Sequence, residues 1–151
     1  MTQALEIVGQ NALLTAFFVR EGHYAIDAAS IQEVIRCGSL TPVRHAPVEV
    51  AGIMNLRGKI VTVLDLGLQL GLGRMDPDAA ARVLIVESRG EFIGLLVDRA
   101  EEVIPVEADQ WEPLPANIPA AQARYFLGVC RPGDRVLTVL DTARILTEDA
   151  R

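Results

Sequence analysis

Ile53-Met54-Asn55-Leu56-Arg57-Gly58-Lys59-Ile60-Val61-Thr62-Val63-Leu64-Asp65-Leu66 is the stretch on which the reading of this chain turns. Two runs of strand-favouring apolar residues meet at Arg57-Gly58, which predicts a hairpin turn. The second run, residues 60–64, is β-branched and apolar on both faces, as expected of a central strand buried on both sides. Asp65 closes it and is placed to cap a short helix over residues 66–70, because its carboxylate can accept from the orphan N–H groups of a first turn.

The stretch has a second copy. Shifting the sequence by 76 residues lays Gly52 on Gly128, Thr62-Val63-Leu64-Asp65 on Thr138-Val139-Leu140-Asp141, and Leu70 on Leu146. With a slightly different offset Glu33-Val34-Ile35 falls on Glu102-Val103-Ile104, and each copy is preceded by a predicted hairpin. The first is residues 16–19 and 23–26 around Arg20-Glu21-Gly22; the second is residues 82–87 and 91–98 around Ser88-Arg89-Gly90. Such self-similarity marks a duplicated unit. Two halves of several short strands each predict two small antiparallel barrels, since closing a sheet removes its edges.

Between these landmarks the signals are local. Residues 1–14 read as an N-terminal tail or a short helix. Asp27 leads into residues 28–35, a short helix followed by a strand. Pro42 and Pro47 hold residues 43–46 extended or in a loop. Residues 71–81 carry the glycine and proline punctuation of a linker. Residues 107–122, with Pro113, Pro115 and Pro119 around Trp111, read as a long loop with a short helix near residues 120–124. Residues 142–146 make a closing helical turn.

Composition narrows the function classes. At 151 residues the chain suits one domain or two small ones, and a globular chain of that size buries roughly 70% of its unfolded surface. Half of it is hydrophobic but only 5% aromatic, so the core must rest on Val, Ile, Leu and Ala. Twenty acidic against 14 basic residues give a net charge of -6, which opposes phosphate-backbone binding, so no nucleic acid is expected as a partner. Cys37 and Cys130 have neither metal nor disulfide spacing, which fits a reducing compartment. No stretch approaches the roughly 18 apolar residues of a membrane span, so direct membrane insertion is not expected.

No catalytic constellation emerges. Cys130 lands on Met54 in the repeat and reads as a small core residue. Cys37 and His45 share one loop-rich segment, a pair more often coincidence than a dyad. Two histidines and no clustered ligands leave a metal site nothing to build on. Gly71-Leu72-Gly73-Arg74 lacks the remaining letters of a phosphate-binding loop. No catalytic residue, metal or other cofactor is therefore expected.

The duplication also sorts residues: what recurs in both halves is architectural, and what occurs once is the better functional candidate. Asp65 and Asp141 recur and read as helix caps, each worth about 1 kcal/mol. Glu33 recurs as Glu102. Arg57 falls opposite Gly133 and Asn55 opposite Arg131, so Arg57 stands out, with a donor fork suited to carboxylates at an interface.

The Asn55-Leu56-Arg57-Gly58 turn followed by an apolar strand and Asp65-Leu66 resembles the chemotaxis coupling protein CheW family. The resemblance runs from about Thr15 to Leu146, through the hairpin at Phe18, Tyr24, Ile26 and Asp27, the Ile31-Gln32-Glu33-Val34 segment, Val97-Asp98, Glu102-Val103, and Gly128 to Leu140-Asp141. It implies two SH3-like antiparallel β-barrel subdomains on a shared hydrophobic core with short helices, and a noncatalytic adaptor. The adaptor would couple the cytoplasmic tips of methyl-accepting chemoreceptors to a CheA-type histidine kinase, in the cytoplasm at membrane-associated receptor arrays. Within the family the turn arginine and a Val/Ile-x-Glu segment border the receptor groove, which maps to Ile31, Glu33, Arg57 and Gly58; the kinase-contact residues stay undefined. The division that follows is an N-terminal tail 1–14, a CheW-like domain 15–146 with subdomains at about 15–73 and 82–146 joined by a linker 74–81, and a C-terminal tail 147–151. Two positions depart from the family pattern: Thr62 stands where proline is common, and Gly67 where arginine often follows Asp-Leu. These departures leave open a pilus-motility or biofilm-type pathway. A nucleic-acid-binding barrel and a cysteine-dependent enzyme using Cys37 are the readings from other classes.

Overall fold

Short β-branched runs punctuated by two-residue turns become eleven strands in the computed structural model, which describes residues 7–149. The first six residues and residues 150–151, read above as parts of the tails, lie outside the described residues. In chain order the strands are β1 (Ala12–Val19), β2 (Gly22–Asp27), β3 (Ile31–Arg36), β4 (Val50–Leu56), β5 (Lys59–Asp65), β6 (Arg82–Ser88), β7 (Glu91–Val97), β8 (Arg99–Val106), β9 (Trp111–Glu112), β10 (Phe126–Cys130) and β11 (Leu137–Leu140). Three short helices accompany them: α1 (Leu66–Gln69), α2 (Ala120–Ala123) and α3 (Thr142–Asp149). The protein is mainly β, in two sheets.

The strand order departs from the sequence reading in one important way. The six-stranded sheet runs β8-β1-β2-β11-β10-β9 and the five-stranded sheet β3-β6-β7-β5-β4. Each sheet therefore takes strands from both halves, and a division into barrels at 15–73 and 82–146 does not describe them. The β1–β2 hairpin of the first half sits between β8 and β11, and the β6–β7 hairpin of the second sits between β3 and β5. The halves exchange hairpins. The exchange also puts one parallel pair into each otherwise antiparallel sheet, with Thr62 opposite Ile93 in one and Thr138 opposite Tyr24 in the other. Those registers correspond under the repeat, as do the bulges at Gly52 in β4 and Gly128 in β10.

Both sheets curl. β8 and β9 are opposite edges of the six-stranded sheet, yet the link from Val106 to Trp111 reaches only about 17 Å fully stretched, and the edges of a flat six-stranded sheet stand about 24 Å apart. In the other sheet the chain leaving β3 crosses to β4 and forms a bridge between Thr41 and Ile53. β9 makes the equivalent pairing, Glu112 with Val129.

The main core joins the sheets. Phe17, Val19 and Ile26 from one pack in the same buried cluster as Val61, Val63, Leu84 and Leu95 from the other, with Leu140 and Ile145. A smaller cluster of Leu14, Ala16, Ala25, Ile104, Val106, Cys130, Leu137 and Val139 fills the six-stranded barrel. The boundaries shift accordingly. β1 begins at Ala12, inside the stretch read as tail, because Leu14 is fully buried. α3 continues to Asp149, past the end read at Leu146. Trp111 and Glu112, read as loop, pair with β10, and the Trp111 indole N–H donates to the Gln10 carbonyl at 2.8 Å.

Hairpin exchange makes a direct test possible. A fragment ending at residue 78 keeps β3, β4 and β5 but loses the β6–β7 hairpin that lies between them. It should show collapsed amide dispersion in an NMR spectrum; a well-dispersed spectrum would show that the first half folds alone and would contradict the exchange.

Candidate functional site

Each letter of the Asn-Leu-Arg-Gly turn has a local cause. Leu56 and Lys59 are paired across the end of the β4–β5 hairpin, leaving Arg57 and Gly58 as a two-residue turn. Their φ values, 51° and 88°, are those of a type I′ turn, whose twist matches that of the flanking strands. Gly58 meets the left-handed requirement without steric cost. The Asn55 side-chain oxygen accepts from the Gly58 N–H at 2.9 Å, and Leu56 is buried. Arg57 is the exception, since a non-glycine residue in that region costs about 1 kcal/mol. The turn pushes its side chain outward, where it remains 67% exposed.

Arg57 grips Glu33 on β3 with a two-pronged contact, Nη1 to Oε2 at 3.0 Å and Nη2 to Oε1 at 2.5 Å. This hydrogen-bonded guanidinium holds the Glu33 carboxyl below the usual glutamate range. β3 and β4 are the two edge strands of the five-stranded sheet, so the pair bridges its seam. Ile31 packs half-buried against the main core, and Gly58 is exposed at the tip.

Beside the turn runs a groove of about 440 Å³ whose lining includes Gln32, Lys59, Ile60, Thr62, Phe92 and Ile93. Sequence reasoning did not assign it. Residues 60–64 read as apolar on two buried faces, but Ile60 is 65% exposed. Val34 on β3 is also exposed, and the Lys59 ammonium lies 5.5 Å from the Phe92 ring centre. Exposed branched aliphatics beside charges offer a partner both apolar contact and ion pairing. The unburied Ile60 within a β-rich run was the signal, but periodicity could not say which face stayed open.

The second half holds a counterpart that the alignment concealed. Arg57 falls opposite Gly133, but Arg135, two residues on, donates to Glu102 at 3.1 Å and to Glu101 at 2.7 Å. The arginine–glutamate seam bridge thus recurs, and the inference that Arg57 lacks a counterpart is corrected: a differently built turn delivers the guanidinium from a shifted position. What sets the first pair apart is openness. Arg135 is half as exposed, at 35%, and is packed with His23, whose Nε2 lies 2.8 Å from Glu101.

The two repeated aspartates also differ. Asp141 accepts one bond, from the Arg144 N–H at 3.1 Å, and is half-buried. Asp65 is buried and accepts two, from the Leu68 N–H at 3.1 Å and the Met75 N–H at 2.9 Å, so it fastens the linker as well as α1. Gly67 makes that closure possible: a Cβ there would lie 2.4 Å from the Gly73 carbonyl oxygen and 2.7 Å from the Met75 side chain. Thr62, the other departure, lines the groove.

The cysteines are not poised for chemistry. Burial pushes the Cys37 thiol up, and its Sγ contacts the adjacent Gly38 carbonyl. Cys130 is buried in the smaller core and pushed up to about 12 by burial first and Glu112 second. Among the described residues no three His, Cys, Asp or Glu side chains cluster as metal ligands, and no helix is long and apolar enough to cross a membrane.

A family model described as a CheW-like domain matches residues 14–150. The chain belongs to the CheW-like domain family. A probable chemotaxis protein CheW of Rhizobium etli is 24% identical over 149 residues, covering 98% of this chain and 96% of that one. The chemotaxis protein CheW of Klebsiella aerogenes is 27% identical, covering 95% and 86%. A crystal structure of the scaffolding protein TtCheW from Thermoanaerobacter tengcongensis superposes with a TM-score of 0.78 at 30% identity, covering 87% of this chain and 90% of that one. The chain is accordingly a chemotaxis scaffold of the CheW type, and its work is binding and not catalysis.

Proposed function

We propose that this CheW-family scaffold couples the cytoplasmic tips of methyl-accepting chemoreceptors to a CheA-type histidine kinase, in the cytoplasm at membrane-associated arrays. The observation that carries the receptor side is the open Arg57–Glu33 pair at the turn that leads into β5, whose Ile60 is exposed in the adjoining groove. An apolar strip next to a pre-ordered guanidinium suits an amphipathic helix, which can bury aliphatic side chains on Ile60 while presenting a carboxylate to Arg57. Ile31, Glu33, Arg57 and Gly58 form the centre of this receptor surface. The kinase takes a different face, so one chain holds both partners and receptor conformation biases the kinase by geometry. A pilus-motility or biofilm-type pathway would use the same surfaces with another receptor.

Arg57→Ala should abolish most receptor binding, measured calorimetrically with a receptor cytoplasmic fragment, while thermal stability stays within about 1 kcal/mol, because exposed ion pairs contribute little. Kinase-fragment binding should be unchanged. A large fall in melting temperature would make Arg57 a structural residue, and binding to neither fragment by the unaltered protein would end the coupling reading.

A further inference from the structure

A second groove, of about 830 Å³, shares no lining residue with the one beside Arg57. It lies between the tip of the β1–β2 hairpin, the β7–β8 corner and the linker, and includes Phe18, Arg20, Glu21, Asp78, Asp98 and Arg99. Its walls are tied together. The Arg20 guanidinium donates to the Arg74 carbonyl at 3.0 Å, the Arg20 N–H donates to the Asp98 carboxylate, and the Asp98 N–H donates to the Phe18 carbonyl at 2.9 Å.

Arg99 is ordered without being neutralised. Its guanidinium lies 4.6 Å from the Phe18 ring centre, and Phe18 in turn stacks on His23 at 4.2 Å with the rings nearly parallel. His23 is itself held by Glu101. Among the described residues Arg99 has no ion-pair or hydrogen-bond partner, and neither has the Glu21 carboxylate. A planar fork of donors that is already stacked loses less freedom on meeting a carboxylate than a mobile side chain would.

The charges lining the groove decide between ligand classes. Two guanidinium groups, Arg20 and Arg99, face three carboxylates, Glu21, Asp78 and Asp98, so a phosphate dianion would enter a site of net negative charge. A ligand bearing both signs matches it. We infer that this groove docks a protein segment carrying one carboxylate beside a cationic side chain, with Arg99 taking the carboxylate and Glu21 the cation.

The test uses the isotope-labelled full chain and a short acetylated, amidated alanine-based peptide with glutamate and arginine one helical turn apart. Saturable shifts are expected at the Arg99 Nε–H and the Phe18 ring, with affinity weakened about tenfold in Arg99→Gln and again in Glu21→Gln. Both side chains are exposed, so unchanged amide dispersion in the variants checks their fold. Absence of saturation, an identical titration in Arg99→Gln, or tighter saturation by inorganic phosphate would overturn the assignment. Arg57→Ala should titrate like the parent, and neither kinase nor receptor is present, so this result is independent of the coupling reading.

Discussion

Asp65→Ala is expected to destabilise the protein by about 3–5 kcal/mol, because it strands two N–H groups, those of Leu68 and Met75, that now donate to a buried carboxylate. For a chain of this size that is a fall in melting temperature of about 10 °C. Asp141→Ala, its counterpart in the repeat, should cost only about 1 kcal/mol, since it removes a single bond at a half-buried helix start. Equal losses in thermal melts would show that the Met75 contact contributes nothing. A rescue measurement sharpens the comparison. Asp65→Asn keeps an acceptor for one N–H and should recover part of the loss, while leaving the α1 cap weaker than the carboxylate does.

Gly67→Ala should cost about 2 kcal/mol although it adds a single methyl group. The added carbon would stand 2.4 Å from the Gly73 carbonyl oxygen, a backbone atom that cannot turn aside as a side-chain end would. Either the linker lifts, breaking the Asp65–Met75 bond, or α1 shifts against the core beneath Leu66. Gly67→Arg, with a longer side chain at the same closed position, should be worse still. It would also raise amide exchange across residues 71–75. A Gly67→Ala variant melting with the parent would mean that the linker has room to move and that its packing on α1 is incidental. The effect should be local: Gly58→Ala, at an exposed turn with nothing within 4 Å of the added carbon, suffers only the left-handed backbone penalty of about 1 kcal/mol.

These two positions show where sequence reasoning reached its limit. Asp65 and Asp141 occupy equivalent places in the repeat, and their role as caps follows from local spacing alone. Nothing local distinguishes them, because Asp65 differs through Met75, ten residues on and brought back by the linker. Gly67 read as a departure from a pattern; its cause is a carbonyl from the next loop. The same holds for the seam bridges. Glu33 and Glu102 were recognisable as equivalents, but Arg57 and Arg135 were not, since an alignment matches positions in the chain and a guanidinium on its long side chain can arrive from a neighbouring position. The exposed Ile60 belongs to this class too: its β-propensity was legible, its open face was not.

From residues alone came the short strands, the hairpin turns at Arg20-Glu21-Gly22, Arg57-Gly58 and Ser88-Arg89-Gly90, the duplication, the family resemblance and the lack of a catalytic constellation. All of these rest on signals carried by neighbours a few positions apart, or by similarity between copies, which survive when the chain is read as a line. Folding in three dimensions decided the rest: that the halves exchange hairpins, that one ion pair stays open while its twin is packed against His23, and that Asp65 fastens a linker. Backbone hydrogen bonds between strands carry no sequence label, so a hairpin can complete either barrel. Which one it completes is settled only when the apolar faces of both halves, with Phe17 and Ile26 against Val63 and Leu95, find the arrangement that buries them together in a single core.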